Sequence, residues 1–323
     1  MKRICIIGAG NIGSRHLQGL KKITSPLSIT VFDPSAESLS TARQRYDQIP
    51  SSLNHEINFL QTMEDLPKNI DLAIIATSSN VRRKVTEELL KNSTVKYLIL
   101  EKILFQKAQD YKAIKKQIKK KKIKAWVNFS MRIMPFYQKI KEQLRSKKIH
   151  LIVSGSQWGL VTNAVHFIDF IAFLTDCYDF TIDTKGLNSK PIESKRPGFL
   201  ELIGTLNIHF KNGSFGSLTC YPSGDSPYII EVLSETYRCI SKESEKKAWI
   251  SQSKNGWKWT ETETNLPFQS GLTNIVAEKI FKNGTCGLAS YDEASKIHLT
   301  LLNQLHKFLN KSAAKKFTLY PFT

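Results

Sequence analysis

The stretch that most constrains this chain is its first: "RICIIGAGNIGSRH", residues 3–16. Ile4 to Ile7 form a short, continuous apolar run, as a strand buried on both faces does. Gly8-Ala9-Gly10-Asn11-Ile12-Gly13 follows at once and is a full G-x-G-x-x-G. Helical spacing then takes over, with Ile12, His16, Leu17 and Leu20 on related faces. Asp33 ends the next apolar run, "LSITVFD", twenty residues past Gly13. Strand, glycine turn, helix and distal acid together satisfy the context that a dinucleotide fingerprint needs. Gly8 permits the tight turn, Gly10 lets main chain approach a pyrophosphate, and Gly13 lets helix and strand pack closely. The helix N-terminus turns N–H groups and a positive dipole end toward the phosphates. Asp33 can accept hydrogen bonds from ribose hydroxyls, and its charge opposes a 2′-phosphate, so NAD is expected over NADP.

The same alternation continues to about residue 125. "DLAIIATSS" and "VKYLILEKIL" read as buried strands. "NVRRKVTEELLKN" and "DYKAIKKQIKKK" read as helices, the first with an apolar stripe at Val81, Val85, Leu89 and Leu90. "KAWVNFS" is a further strand. This rhythm predicts an α/β fold, a doubly wound parallel Rossmann sheet over 1–125. Beyond it the pattern changes. "WGLVTNAVHFIDFIAFLTD" reads as one apolar helix, and strands then cluster from about 200, with a hairpin at Asn212-Gly213. Two helices, "TNIVAEKIFKN" and "YDEASKIHLTLLNQLHKFLN", close the chain. Residues 126–323 are therefore expected as an α+β domain with a large, mostly antiparallel, open-faced sheet, and the last helix and tail are free to pack back on the first domain.

Charge is unevenly spread. Of a net +19, residues 1–150 hold 29 basic against 12 acidic side chains. The densest run, "KKQIKKKKIK" at Lys115–Lys124, has no interleaved aromatics and no nucleic-acid reader motif, so it reads as a solvated helix face. No nucleic-acid partner is expected. No apolar run approaches a membrane span, and the apolar part of "MKRICIIGAG" is too short for a signal peptide, so neither membrane nor export is expected and the reading is cytoplasmic. The five cysteines are scattered with no C-x-x-C, which suits reduced thiols and gives no metal site.

Together "GAGNIGSRH", "DLAIIATSSNVR", "LILEKILF", "VNFSMRIMPFY", "VHFID" and "YDEASKIHLTLL" resemble the Gfo/Idh/MocA family of NAD(P)-dependent sugar and cyclitol oxidoreductases. The resemblance implies a Rossmann domain followed by an open-sheet domain often used for self-association, and hence a homo-oligomer. Glu101-Lys102 fall on the family's Glu-Lys-Pro motif, whose lysine reaches cofactor and substrate. His166 falls on its catalytic histidine. Ala76, Thr77 and Ser78 match the loop near the nicotinamide ribose, and Asn128 matches the strand end near the nicotinamide. Two positions depart from the family. Ile103 stands where a proline is usual, and Thr162 stands where an aspartate usually opens the pattern that ends in His166.

The residues also argue chemistry directly. Thr162 and Asn163 precede His166 by four and three positions and Asp169 follows by three, so a polar cluster interrupts an apolar helix near one face. Oxidising a secondary alcohol removes a hydride from carbon and a proton from oxygen. Histidine suits the proton, and a lysine beside a nicotinamide suits the charge developing on oxygen. The expected site is thus Lys102 and His166 as catalytic residues, with Thr162, Asn163, Asp169, Arg132 and Trp158 toward a sugar, cyclitol or sugar-nucleotide substrate. Arg15 and Arg82 are further cations that a polar substrate could meet. The departures at Thr162 and Ile103 motivate a second expectation, an NAD-binding regulatory protein whose active site is disabled.

Overall fold

A computed structural model of the chain describes residues 1–50, 55–144, 148–313 and 316–323. Two compact units form: Met1–Ser130 with Pro267–Ala294, and Met131–Leu266 with Ser295–Thr323. The closing stretch is therefore shared between the units instead of belonging wholly to a second domain over 126–323.

The first unit is built on a twisted sheet. Its strands are β1 (Lys2–Ile7), β2 (Leu27–Phe32), β3 (Glu56–Leu60), β4 (Asn69–Ile75), β5 (Thr94–Leu100) and β6 (Lys124–Val127). The order is β6-β5-β4-β1-β2-β3, all parallel, and a two-residue strand, Ala289–Ser290, pairs antiparallel along the β6 edge. The apolar runs account for this. Ile4–Ile7, Leu72–Ile75 and Leu98–Leu100 are all buried, as parallel strands covered on both faces must be. Helices α1 (Asn11–Leu20), α2 (Ala36–Asp47), α3 (Ser79–Asn92) and α4 (Ala108–Lys120) make the crossovers. Because β1 lies between β4 and β2, strand order reverses there. The crevice where open α/β sheets bind ligands falls between the loops that follow β1 and β4.

Two of these helices test the sequence reading. On α4, Tyr111, Ile114 and Ile118 face inward, while Lys115, Lys116, Lys119 and Lys120 are exposed and Lys115 pairs with Asp292 at 2.9 Å. The basic run is thus the polar side of an amphipathic helix. On α3 the expected apolar stripe is displaced. Val81 is 42% exposed, and the inward face carries Ser79, Arg82, Thr86, Leu89 and Leu90. Hydrogen-bonding duty decides that choice, as described below.

The second unit opens with α5 (Pro135–Leu144), β7 (His150–Ser156) and α6 (Leu160–Thr175). Strand β8 (Phe180–Asp183) follows, then a two-stranded ribbon of β9 (Ile192–Glu193) and β10 (Leu200–Glu201). The remaining strands are β11 (Gly204–Phe210), β12 (Phe215–Tyr221), β13 (Ile229–Leu233), β14 (Tyr237–Lys242), β15 (Lys247–Gln252) and β16 (Trp259–Glu263). They form an eight-stranded sheet in the order β16-β15-β14-β13-β7-β12-β11-β8, antiparallel except for the β7–β12 pair. The β11–β12 hairpin turns at Asn212-Gly213 as its sequence predicts, with Gly213 at φ +81°. Leu151, Val153, Leu218, Ile230 and Val232 point into the core. A Cβ on Gly216 would stand 2.8 Å from Ile171 Cδ1, so α6 lies directly on β12. The opposite face carries Ile152, Glu231, Ile240 and Trp249 in one cross-strand row, all partly exposed. Among the described residues no helix is long and apolar enough to cross a membrane.

Candidate functional site

The glycine turn has the shape a dinucleotide requires. Gly8 sits at φ +99°, a conformation that L side chains rarely adopt, and a Cβ there would press on Ala76 and Thr77 at 3.0 Å. A Cβ on Gly13 would stand 1.8 Å from the Gly8 carbonyl oxygen, so only glycine lets α1 begin this close to β1. Gly10 differs from both. Nothing lies within 4 Å of its would-be Cβ, so the space above it is open. Gly10 caps α1 without a side-chain hydrogen bond, and Asn11, Ile12 and Gly13 form the first turn. Asp33 follows the end of β2, where its Oδ2 accepts from the Ala9 N–H at 2.7 Å and its Oδ1 from the Ser35 N–H at 2.9 Å. A cradle left open at the one glycine meant for close approach, with an acid beside it, fits an adenine dinucleotide. Gly8 through Gly13 would hold its pyrophosphate and Asp33 its ribose.

One cation at this turn escaped the sequence reading. Arg45 on α2 donates to Asn11 Oδ1 at 3.2 Å and to Ser14 Oγ at 2.7 Å. Only the fold brings it there, since it lies 34 positions from Asn11.

Beyond β5, Glu101 is buried and held from two sides. His16 Nε2 donates to its Oε1 at 3.0 Å, and Asn128 Nδ2 donates to the same oxygen at 2.5 Å. Asn128 Nδ2 also donates to Gln269 Oε1 at 2.8 Å, and Gln269 Nε2 donates to Thr273 Oγ1 at 3.0 Å. Thr273 Oγ1 lies 2.9 Å from His16 Nδ1, which closes a ring of five side chains from five segments. Burial alone would raise the Glu101 carboxyl, but the hydrogen bond and charge of His16, the Asn128 amide and the charge of Lys102 outweigh it. The group is brought from 4.5 down to about 2. Glu101 and Asn128, both expected at the cofactor, thus have internal duties: they are 5% and 4% exposed.

Lys102 is the one residue of 101–105 that is not buried; Ile103, Leu104 and Phe105 are completely buried. The Lys102–Ile103 peptide is cis. Arg82, 1% exposed, donates to the carbonyl oxygens of Ile103, of Leu104 (3.0 Å) and of Thr77. It is therefore a structural cation of the core and not a cation offered to substrate. Arg15, by contrast, is exposed and donates to Gln18 Oε1 at 2.7 Å.

In the second unit the expected substrate residues separate into two groups. Arg132 and Asp169 turn to each other. Nε donates to Oδ2 at 2.8 Å and Nη2 to Oδ1 at 2.6 Å, with the aspartate 0% exposed and Tyr178 Oη a further acceptor at 3.0 Å. This two-point pair is buried because neither charge could stay there alone. It corrects the expectation that either residue faces a substrate, and Asp169 does not share the exposed side of α6 with His166. Thr162, Asn163 and Trp158 form the second group and line a cavity of about 370 Å³ with Glu201, Arg196 and Tyr221. Trp158 donates its indole N–H to the Thr219 carbonyl at 2.9 Å, and Asn163 Nδ2 donates to the carbonyls of Trp158 (2.7 Å) and Gly159 (3.1 Å). His166 sits one turn further along α6 and is partly exposed.

Glu201 is a second residue that sequence reasoning missed. It is 6% exposed, and its Oε2 accepts from the Val161 N–H at 2.8 Å. Its Oε1 accepts from the Thr162 N–H at 3.1 Å and from the Thr162 hydroxyl. A carboxylate thus stands at the N-terminus of α6, delivered from β10 and not from position 162. No local motif reveals it, because the partners are 39 and 40 residues apart.

A parallel dinucleotide-type sheet, an open glycine cradle and an acid at the second strand define a dinucleotide-binding fold. Residues 2–129 match the Gfo/Idh/MocA family, described as the oxidoreductase family with an NAD-binding Rossmann fold. No curated protein matches the sequence significantly. Among solved structures, the chain is similar to UDP-N-acetylglucosamine 3-dehydrogenase from Acidithiobacillus ferrooxidans (13% identity, 93% of this chain and 95% of that one, TM-score 0.70). It is also similar to an oxidoreductase from Agrobacterium radiobacter in complex with NAD+, L-tartaric acid and magnesium (14%, 97% and 97%, 0.73). A third likeness is to the transcriptional regulator Gal80p from Kluyveromyces lactis (15%, 96% and 92%, 0.68). At such identities the likeness speaks for the fold.

Proposed function

We propose that the chain is an NAD-dependent oxidoreductase that moves a hydride between nicotinamide and a secondary alcohol or ketone of a sugar, cyclitol or sugar nucleotide. The observation that carries this reading is the open cradle at Gly10 beside Asp33, in the same sheet whose β5 ends on a rigidly held Glu101-Lys102. Asp33 favours NAD, since its charge opposes a 2′-phosphate. The bound nicotinamide supplies the hydride chemistry. Lys102 orients the substrate oxygen and stabilises the charge that develops on it. His166 takes the hydroxyl proton in oxidation and returns it in reduction. Trp158, Thr162 and Asn163 line the cavity for the polar substrate. Ala76, Thr77 and Ser78, at the β4 end of the crevice, would flank the nicotinamide ribose. We further propose self-association through the partly exposed row from Ile152 to Trp249.

The test is calorimetric titration with NADH and NADPH, followed by turnover of a panel of sugars, cyclitols and sugar nucleotides. Lys102→Ala and His166→Ala should each bind NADH within about threefold of wild type and lose turnover by about a hundredfold or more. Wild-type turnover in either variant would sink the assignment. The likeness to Gal80p, with Thr162 and Ile103 standing at departures from the family pattern, favours a second reading: an NAD-binding regulatory protein. Tight NADH binding with no turnover across the whole panel would support that reading.

A further inference from the structure

We propose that Arg82 is the positioning residue of Lys102, holding the buried backbone on which the lysine stands. This rests on the reading that Lys102 acts in hydride transfer. The first turn of α3 could have buried Val81, yet it turns Arg82 inward and leaves the valine exposed. What the arginine meets explains the exchange. Ile103, Leu104 and Phe105 are completely buried and belong to no helix or strand, so their carbonyls have no ladder to accept from. Arg82 supplies the donors: Nη1 to the Ile103 and Leu104 carbonyls, and Nη2 to the Thr77 carbonyl on the neighbouring loop. The planar fork of a guanidinium can hold carbonyls from two loops at once, which the single ammonium of lysine cannot do in the same geometry.

The rest of the segment is fixed in the same manner. The Phe105 N–H donates to the Tyr111 hydroxyl, and that hydroxyl lies 3.3 Å from the Phe105 carbonyl oxygen. On the other side, Glu101 is gripped by His16 and Asn128. Lys102 is thus the single outward residue of an immobilised five-residue segment. Arg82 also reaches the loop of Ala76, Thr77 and Ser78, through the Thr77 carbonyl. The lysine's aim and the place of that loop are therefore set together.

The experiment is NMR on the full chain after reductive methylation with [13C]formaldehyde, with the Lys102 signal assigned by its loss in Lys102→Arg. In wild type the Lys102 dimethylamine should give one narrow resonance apart from the bulk lysines, and NADH should move it. In Arg82→Lys that resonance should merge with the bulk and cease to respond to NADH, while NADH affinity changes by less than about threefold. An unchanged Lys102 resonance in Arg82→Lys, with and without NADH, overturns the proposal. Arg82→Gln, which keeps a donor, is read in the same way if the lysine variant does not fold. Failure of both variants to fold also overturns it, since Arg82 would then serve the core at large. Full turnover in Lys102→Ala would instead sink the assigned reaction, a result independent of the Arg82 spectra.

Discussion

His16 Nε2 lies 3.0 Å from Glu101 Oε1, joining the helix that leaves the glycine turn to the residue immediately before Lys102. Both side chains are nearly inaccessible, 1% and 5% exposed. Phosphate cradle and lysine are therefore parts of one hydrogen-bonded frame, and a change at either end is felt at the other. The folded carboxyl titrates at about 2, below its ordinary 4.5. A depressed acid stabilises the fold above its unfolded value, and that contribution is lost as pH falls from about 4.5 through about 2. Its size is on the order of 3 kcal/mol at neutral pH. Urea unfolding at stepped pH should show this loss in wild type and a flatter profile in Glu101→Gln. Parallel profiles would show that the pair contributes nothing.

The second and third glycines of the cradle, Gly10 and Gly13, should fail differently. Gly13→Ala places a methyl 1.8 Å from a backbone oxygen and should destabilise the fold, by roughly 3 kcal/mol on the scale of severe core overpacking. Gly10→Ala meets nothing within 4 Å and should melt within about 2 °C of wild type. It should nonetheless bind NADH at least about tenfold more weakly, because the methyl occupies the approach to the pyrophosphate. Thermal melts paired with calorimetry check both variants; unimpaired NADH binding by Gly10→Ala would place the phosphates elsewhere.

Much of this frame is legible in the sequence, and the limits have physical causes. The cradle is local: five consecutive steps of chain set Gly8 to Gly13, so pattern alone finds them. The apolar runs of β1, β4 and β5 and the stripe of α6 are equally local. Arg82, Asp169 and Glu101 are not. Each is a charged residue whose role depends on partners 21 to 85 positions away, and a sequence pattern assigns charges to solvent or substrate by default. The true inward face of α3 stayed hidden for the same reason, since a buried arginine looks polar until the carbonyls it serves are in view. Glu201 is the extreme case, an acid on a two-residue strand whose only signal is the helix end it reaches.

Asp33 gives a prediction on cofactor choice. Its Oδ2 takes the Ala9 N–H at 2.7 Å, so a negative charge stands directly beside the cradle. Asp33→Ser removes that charge and keeps a hydroxyl. The ratio of NADPH to NADH dissociation constants should fall about tenfold or more, mainly through tighter NADPH binding. An unchanged ratio would mean that the ribose end of the cofactor does not lie at β2.

The pair of Arg132 and Asp169 should behave as a buried ion pair. Removing one partner leaves the other charge unmatched, so Asp169→Asn should cost roughly 3–5 kcal/mol. Arg132→Met with Asp169→Leu, which removes both charges, should recover most of it. Chemical denaturation of wild type and the two variants measures the difference. A double variant no more stable than Asp169→Asn would contradict the assignment.

Glu201 makes the last prediction, because it couples the start of α6 to the cavity. Its two oxygens accept from Val161 N–H and Thr162 N–H, the donors that a helix leaves unsatisfied at its first turn. Its charge also faces the positive end of the helix dipole. Glu201→Gln keeps the volume but loses the charge and presents an amide N–H that cannot accept, so it should cost about 1–2 kcal/mol, as loss of an N-terminal cap does. The same residue lines the cavity with Trp158 and Asn163, so the change should also raise the KM of the accepted substrate. If Glu201 served the helix alone, Glu201→Gln would lower stability and leave KM untouched. If it served the substrate alone, KM would rise with no change in the unfolding midpoint. The hydrogen bonds, together with the proposed substrate role of the cavity, predict both effects in one variant, read by urea unfolding and steady-state kinetics on the same preparation.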